Sequence, residues 1–457
     1  MRRILPFIAM LVATAIACSL LQEAPPAPVV PTLGASSVPT RSPAMSLDDL
    51  RQQGGVIGSQ FDAPVPRVDP NVQVLIDAIS QQNLVGYIQT LESFGTRNTF
   101  SVTDRDDFGI GAARRWLAGE LERVGNGRIE VNFQDYNFTF EGINTDQRNI
   151  VGILPGTSRQ GGTFVLVANY DTRADDWLDG ESLSPGADDN ASGVATLLEI
   201  ARLMSAQEWP HTVIFALMTA EEQGTFGSRH FVQTAFFSDV QITAALNNDM
   251  IGGRLNIPQS IRVYSIGPDD SGSRHFARYI HLINSIYQPS FPVTMMDGLD
   301  REGRWGDQRE FVRAGIPAVR LIESQEDLSI QNSVRDNWQL IDYNYLQKSA
   351  TVNLATLANM AGSPLAPPAP NVINLPEAGS YRVSWVIDNS SDGYTIVFRP
   401  LGDMTYEKAS FHYTSLAEGG DVTIAGLDSN QAYGVSVAAV SYAGRLGLFS
   451  PETLVLP

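Results

Sequence analysis

The stretch from Thr163 to Met204 constrains the fold of this chain most, because it joins a buried strand to a helix through an acidic loop. The apolar run TFVLVA ends at Asn169, and the loop PGADDNASG, which contains Asp189, follows. Apolar residues then recur at the spacing of one helical face, namely Val194, Leu197, Leu198, Ala201 and Met204. The pattern predicts a strand, a loop and an amphipathic helix that begins at the acidic residues.

Two further apolar runs also end in acidic residues. TVIFALMTA stops at Glu221 and Glu222, and ITAAL leads through two asparagines to Asp249. In an open α/β sheet, ligands bind beyond the carboxyl ends of the strands, so we expect these residues and Asp189 to converge on one edge. Taken singly, each has a simpler explanation as a helix cap, a solvated pair or a turn residue. Together they repel one another, and their convergence requires a cation, a proton or wide separation.

Strand and helix patterns alternate between residues 71 and 362, which predicts an α/β domain with helices on both faces of a sheet. Residues 363–370, SPLAPPAP, are typical of a stiff linker. Residues 371–457 have short strand patterns and turn signals, which predict a small β-sandwich. Trp385, and Leu427 six residues before Tyr433, resemble the core tryptophan and tyrosine corner of fibronectin type III domains. Another seven-stranded sandwich is the alternative.

The N-terminus predicts export. Two arginines precede a short apolar run, and residues 1–17 have the organisation of a signal peptide, too short to span a membrane as a helix. The sequence around Cys18, the only cysteine, resembles a bacterial lipobox, although a lone cysteine is more often a small buried residue. We expect a bacterial lipoprotein anchored outside the cytoplasm through Cys18, or a secreted protein. Residues 18–70 are rich in Pro and Ser and predict a flexible tether.

Length and charge limit the remaining possibilities. The 457 residues suffice for two or three domains, each with its own core. Lys and Arg number 31 against 50 Asp and Glu, and the basic residues form no cluster. Because contacts to phosphates need clustered basic side chains, nucleic acid is excluded as a partner.

Several segments resemble peptidase family M28, the co-catalytic zinc aminopeptidases and their relatives. They are NYD where the family has HxD, PGADDNASGVATLLEIAR, MTAEEQGTFGS, NNDMIG, GDQREFVRAGIPAVRLIE and NSVRDNW. The resemblance implies a zinc-aminopeptidase-like mixed sheet and two zinc ions. It also implies that Asp189 bridges the metals, that Asp249 completes the first site and that Glu222 binds the second. Glu221 would then be the general base that relays a proton from water to the leaving amine.

The departures from this family concern its histidines. Each metal of the family also takes one histidine, and Asn169 and Asn332 stand at those positions, while Gln308 replaces a further histidine. The histidines of the chain lie elsewhere, at His211, His230, His275, His281 and His412. Asp171, which in the family orients the first histidine, would have nothing to orient. Amide oxygens suit Mg²⁺, Ca²⁺ or Mn²⁺ better than zinc, so we expect Asn169 and Asn332 to be weak ligands.

Two functions follow from these observations. The first is a lipid-anchored metallo-exopeptidase of aminopeptidase type that acts on peptide N-termini and is impaired by the loss of both histidines. The second is an inactive pseudo-peptidase that binds peptides or a surface. Glutaminyl cyclase chemistry on the same scaffold is disfavoured, because that site also needs a histidine ligand. Metal analysis of the purified protein separates the first two.

Overall fold

A mixed sheet of eight strands carries the candidate site. The structure is a computed structural model that describes residues 63–406, 411–415 and 420–457. In the order in which they lie across the sheet, the strands are β1 (Glu130–Phe140), β2 (Ile143–Leu154), β4 (Thr212–Met218), β3 (Thr163–Asn169), β5 (Ala244–Asn248), β8 (Ala318–Glu323), β6 (Ile261–Ser265) and β7 (Val293–Asp297). The neighbours β4, β3, β5 and β8 run parallel, whereas β1 and β2 pair antiparallel at one edge.

Helices cover both faces of this sheet, as predicted. They are α1 (Pro70–Asp77), α2 (Gln81–Ser93), α3 (Gly109–Gly125), α4 (Gly193–Met204), α5 (Phe226–Phe237), α6 (Gly272–Tyr287), α7 (Gln308–Arg313) and α8 (Tyr343–Gly362). Successive residues of a strand point to opposite faces, and β3 shows this directly. Phe164 and Leu166 belong to a large core with α1 to α4, α6 and α8, while Val165 and Val167 pack with α5 and α7.

Helix α4 differs from its prediction. The five apolar positions are buried as expected, yet the remaining residues of α4 are buried too, so the helix is not amphipathic in its setting. The reason is that α2, α3 and α8 all pack against it in addition to β3. Its two charged residues neutralise each other, since Nη2 of Arg202 lies 2.7 Å from Oε1 of Glu199. A buried charged pair of this kind is tolerated because its hydrogen bonds are satisfied internally.

The stretch Val72–Leu91 has helical periodicity in its sequence, and the structure divides it between two helices. The break between α1 and α2 lies at Ala78–Ser80. Ser80 is the N-cap of α2, and its hydroxyl accepts a hydrogen bond from the backbone N–H of Asn83 at 3.2 Å. Serine favours this capping position because its side chain satisfies a backbone donor that the helix leaves free.

The C-terminal residues form two antiparallel sheets with seven strands in the described part. The strands are β9 (Asn371–Asn374), β10 (Tyr381–Ser384), β11 (Gly393–Pro400), β12 (Phe411–Ser415), β13 (Asp421–Ile424), β14 (Tyr433–Val440) and β15 (Thr453–Val455). Trp385 follows β10 and is only half-buried, with its ring 5.4 Å from that of Tyr394. The hydroxyl of Tyr433 accepts the N–H of Asp428 at 3.3 Å. The two sheets agree with a sandwich, and the likeness to fibronectin type III stays a prediction.

The C-terminal sheets pack against the α/β part of the chain. Val397, Val440 and Leu446 belong to the same apolar core as helices α6 and α8. The hydroxyl of Tyr279 on α6 donates to the carbonyl of Leu446 at 2.6 Å, and Asn359 on α8 accepts the N–H of Leu446 at 3.1 Å. The linker at residues 363–370 therefore connects two parts that share buried contacts, and its role as a domain boundary stays a prediction.

The expected signal peptide, Cys18 and the expected tether as far as residue 62 lie outside the described residues. Within residues 63–406, 411–415 and 420–457, no helix combines the length and the apolar character needed to cross a membrane.

Candidate functional site

The predicted site residues follow the carboxyl ends of three neighbouring strands. β3 ends at Asn169, β4 leads to Glu221 and Glu222, and β5 leads to Asp249. Because these strands are parallel neighbours, their ends lie along one edge of the sheet. Asp189 lies in the wide turn Ala187–Ser192 that precedes α4. Burial raises the pKa of Glu221, Glu222 and Asp249, and neighbouring carboxylates add to it: Asp249 and Glu222 act on Glu221, and Asp189 acts on Glu222 and Asp249.

Asp189 is almost fully buried and is held by the segment from Gln331 to Asp336. Nε2 of Gln331 donates to Oδ2 of Asp189 at 2.6 Å. The carboxylate of Asp336 accepts the backbone N–H groups of Asp188 at 2.8 Å and Asp189 at 3.0 Å. Asp336 therefore fixes the acidic loop through its backbone, a role that the sequence did not single out, although Asp336 lies in the NSVRDNW segment.

Glu222 forms an ion pair with Arg173, whose Nε lies 2.9 Å from Oε2. The side-chain amide of Asn332 is oriented with its nitrogen toward Glu222 and its oxygen toward Arg173. In this orientation it donates to Oε1 of Glu222 at 3.3 Å and accepts from Nη2 of Arg173 at 3.1 Å. Burial and Asp189 raise the pKa of Glu222 well above its ordinary value, and Arg173 opposes that shift. Asn332 is thus beside Glu222, as the resemblance implies, but it bonds to the carboxylate directly.

Asp249 forms an ion pair with Arg320 on β8, with Nη2 3.0 Å from Oδ2. The same guanidinium also pairs with Asp300 and bonds to the backbone carbonyl of Asp249. Burial raises the pKa of Asp249 to about 6, and Arg320 opposes that shift. Arg320 lies within the segment GDQREFVRAGIPAVRLIE, but sequence analysis did not identify it as a site residue.

Asn169 lies beside the acidic loop, as predicted, and both ends of its amide are engaged. Its Oδ1 accepts from Nδ2 of Asn190 at 2.7 Å, and its Nδ2 donates to the carbonyl of Asp171 at 3.3 Å. Asp171 was expected to have nothing to orient, but it accepts the backbone N–H of Glu222 at 3.2 Å and so positions the loop after β4. Burial raises the pKa of Asp171 to about 6.

Glu221, the predicted general base, is the least constrained of these carboxyl groups. It is partly exposed, and among the described residues no hydrogen bond or ion pair involves its carboxyl group. Burial, then Asp249 and Glu222, raise its pKa well above the ordinary value for glutamate. A carboxyl group of this kind can take up or release a proton, or receive a cationic group of a ligand.

Gln308, His211 and His230 bond to or stack on residues other than the predicted ligands. Gln308 is buried, accepts from Nδ2 of Asn247 at 3.0 Å and donates to the carbonyl of Leu299 at 3.0 Å. His211 bonds to Gly162 and Ser363, and His230 stacks on Tyr136. Within residues 63–406, 411–415 and 420–457, no group of three or more His, Cys, Asp or Glu side chains is placed to hold a metal ion.

Two half-exposed tryptophans lie close to these carboxylates, and we call them the rim tryptophans. Trp177 packs over the guanidinium of Arg173 at 4.7 Å and stacks on Phe140. Trp305 packs over the guanidinium of Arg309 at 4.7 Å and adjoins Gly306, where an added Cβ would lie 3.1 Å from the carboxylate of Asp249. They offer apolar surface beside an acidic site, which suits a ligand that has both an apolar and a cationic part.

The sequence matches known peptidases over its central region. Residues 149–357 match the family described as Peptidase family M28. A probable zinc metalloprotease of Leptosphaeria maculans is 29% identical over 416 residues, which cover 82% of this chain and 96% of that protein. A probable zinc metalloprotease of Pyrenophora tritici-repentis is 28% identical over 434 residues, covering 85% and 87%.

Solved structures with a similar fold include an aminopeptidase and a cyclase. The LapA aminopeptidase of Legionella pneumophila aligns with a TM-score of 0.54 and 20% identity, covering 68% of this chain and 78% of that one. The glutaminyl cyclase of Porphyromonas gingivalis aligns with a TM-score of 0.51 and 21% identity, covering 61% and 98%. These likenesses confirm the predicted aminopeptidase-like fold.

The residues at this site do not fit two zinc ions, the metal that appears in the names of the sequence relatives. Zinc sites in proteins take imidazole, thiolate and carboxylate ligands that are free to face the metal. Here Asn169 and Asn332 replace imidazoles, and the carboxylates of Glu222 and Asp249 already face guanidinium groups.

Proposed function

We propose that the protein binds the N-terminal part of peptides in an M28-type site and hydrolyses them weakly or not at all. The observation that carries the proposal is that two carboxyl groups of this acidic site, those of Asp189 and Glu221, form no ion pair among the described residues. The ammonium group of a peptide supplies the positive charge that such carboxyl groups attract. The match to peptidase family M28 supports a peptide as the ligand.

The rim tryptophans support recognition of an apolar first side chain. Trp177 is 43% exposed and Trp305 is 46% exposed, so both can contact a ligand. Large apolar side chains exposed beside an acidic site are well suited to bind an apolar residue next to an ammonium group. We therefore propose peptides with an apolar N-terminal residue as the preferred class.

A second candidate function, a slow exopeptidase, is favoured by the retention of Glu221 beside Asp189, Glu222 and Asp249. Two sequence relatives with this scaffold are named probable zinc metalloproteases. In this function the carboxyl group of Glu221 would take a proton from the attacking water and return it to the leaving amine.

Binding of two matched peptides to the full chain tests the proposal. A short peptide with leucine first and a fluorophore at its C-terminus is compared by fluorescence anisotropy with the same peptide acetylated at its N-terminus. We expect acetylation to weaken binding by about 10-fold or more, because a charge-assisted hydrogen bond is lost. Glu221→Gln should weaken binding of the unacetylated peptide only. Glu208→Gln, at an exposed residue that precedes β4 and so lies at the opposite end of that strand from Glu221, should change the binding of neither peptide.

Equal binding of both peptides would contradict the proposal. Turnover of leucine anilide that disappears in Glu221→Gln but not in Glu208→Gln would establish the second function instead. The absence of both binding and turnover in folded protein would reject both functions.

A further inference from the structure

Each of the five predicted metal ligands is already bonded to another part of the protein. The bonds to Glu222 and Asp249 come from arginines, the bond to Asp189 from Gln331, and the bond to Asn169 from Asn190. Asn332 is bonded to both Arg173 and Glu222. Side chains that act as metal ligands direct their lone pairs at the metal. Here donors within the protein occupy those lone pairs, so these side chains have a role other than metal binding.

At the second predicted metal position, three side chains form a closed arrangement. Arg173 pairs with Glu222, Asn332 donates to Glu222, and Arg173 donates to Asn332. In an amide, unlike in an imidazole bound to a metal, one end donates while the other accepts. Asparagine at position 332 can therefore accept from Arg173 and donate to Glu222 at the same time. This accounts for the presence of an asparagine where the family has histidine, next to an arginine.

At the first predicted metal position, Arg320 lies between two acidic side chains. Its guanidinium pairs with Asp249 and with Asp300, and its side chain is 2% exposed. A guanidinium stays charged in any environment found in proteins and presents several donors in one plane, so it can hold two carboxylates at once. Burying Asp249 and Asp300 without a cation would cost several kcal/mol for each charge.

We propose that Arg173 and Arg320 act as built-in cations that hold Glu222 and Asp249 where zinc-dependent enzymes use metal ions, so that this site is complete without a metal. The proposal goes beyond the proposed function, because it concerns the source of positive charge and not the peptide. It also accounts for the retention of the carboxylates in the absence of both histidines, since each arginine needs an acidic partner when buried.

The test compares zinc content and zinc-dependent stability across variants of the full chain. Zinc per chain is measured by elemental analysis after dialysis, and the unfolding midpoint is measured with zinc and with a chelator. We expect the natural protein to hold far less than one zinc per chain and its midpoint to be unmoved by either addition. The variant Asn169→His with Asn332→His should behave in the same way, because the built-in cations still hold the carboxylates.

Removal of the built-in cations in that background should create a zinc site. Adding Arg173→Gln and Arg320→Gln should raise zinc affinity by more than about 10 to 100-fold, the change typical of altering groups that only support the ligands. Arg202→Gln is the matched control, since Arg202 is also buried and paired with a glutamate but lies on α4 away from the ligands. The control should gain no zinc. If the four-substitution variant does not fold, the two-substitution variant Arg173→Gln with Asn332→His alters only the second predicted metal position and should gain one zinc.

Two results would overturn the proposal. One is a stoichiometric zinc content in the natural protein or in the two-histidine variant, which would show that the guanidinium groups move aside. The other is a folded variant that lacks both arginines, carries both histidines and still takes up no zinc. Peptide binding measured in the presence of a chelator separates this proposal from the proposed function. The protein can bind peptide whether or not the zinc measurements support the built-in cations, so each proposal can fail alone.

Discussion

Nη2 of Arg320 lies 3.0 Å from Oδ2 of Asp249, and both side chains are almost entirely buried. Breaking a buried ion pair by removing one partner leaves the other charge buried without compensation. We expect Arg320→Gln to lower the free energy of unfolding by about 3 to 5 kcal/mol in urea denaturation. Arg382→Gln, which breaks the exposed pair with Asp421, should leave the midpoint unchanged. Equal effects of the two substitutions would show that Arg320 is not a structural counter-ion.

His211 should make the protein sensitive to mild acid. Nδ1 of His211 accepts the N–H of Gly162 at 3.1 Å, and Nε2 donates to the carbonyl of Ser363 at 2.6 Å, so the bonded ring is neutral. Burial lowers the pKa of His211 below the ordinary value, although Ser363 opposes the shift. The stability that it contributes is therefore complete above the unfolded-state pKa of about 6.5 and declines as the pH falls below it.

The measurement for His211 is the unfolding midpoint of the natural protein and of His211→Gln between about pH 7.5 and pH 5.5. Relative to the variant, the natural protein should lose stability over this range. Because other groups titrate in both proteins, the difference between them reports on His211 alone. A difference that stays constant with pH would contradict the assignment.

Trp385 should contribute less to stability than a fully buried tryptophan. A fully buried tryptophan costs about 3 to 5 kcal/mol when replaced by alanine. Because Trp385 is half-buried at the margin of its core, we expect Trp385→Ala to cost less than this in urea denaturation. Tyr394→Ala, at a residue that is 1% exposed in the same core, should cost more. The opposite ranking would show that Trp385 is the centre of this core.

Cys18 is expected to anchor the chain to a membrane. A lipobox-like sequence after a short apolar run predicts acylation, and two acyl signals suffice for stable anchoring. In membrane fractionation of the expressing cells, Cys18→Ser should move the protein from the membrane fraction to the soluble one. The matched control Ser19→Ala should remain in the membrane fraction. Identical fractionation of all three proteins would exclude lipidation as the anchor.

The sequence predicts the positions of the acidic residues because Glu221 and Asp249 shortly follow apolar strands, and Asp189 lies in the loop that begins the helix after β3. Local pattern therefore placed Asp189, Glu221 and Asp249 on one edge of the sheet, and the structure agrees. The arginines escaped prediction because their partners are remote in sequence: Arg173 and Glu222 are 49 positions apart. A charged residue in a strand such as β8 carries no local sign of whether it faces solvent or a buried carboxylate.

The error over α4 has a related cause. Periodicity identifies the most apolar face of a helix, but it does not show how many neighbours will cover the other faces. Glu199 and Arg202 look like an exposed pair at i, i+3, and they are a buried pair because the segment from Ala78 to Asn83 bonds to both of them. Composition alone could not reveal that degree of enclosure.

The segment from Gln331 to Asp336 has a consequence for how this protein tolerates changes in length. Within six residues it provides the amide that meets Asp189, the amide that meets Glu222 and the carboxylate that holds the loop at Asp188. Asn332 adopts a left-handed conformation, with φ of 56°, between the first and last of these contacts. Surface loops commonly accept insertions. One residue inserted within this segment would instead displace its contacts with Asp188, Asp189 and Glu222 at the same time. Engineered tags or grafts in this part of the protein should therefore avoid this segment.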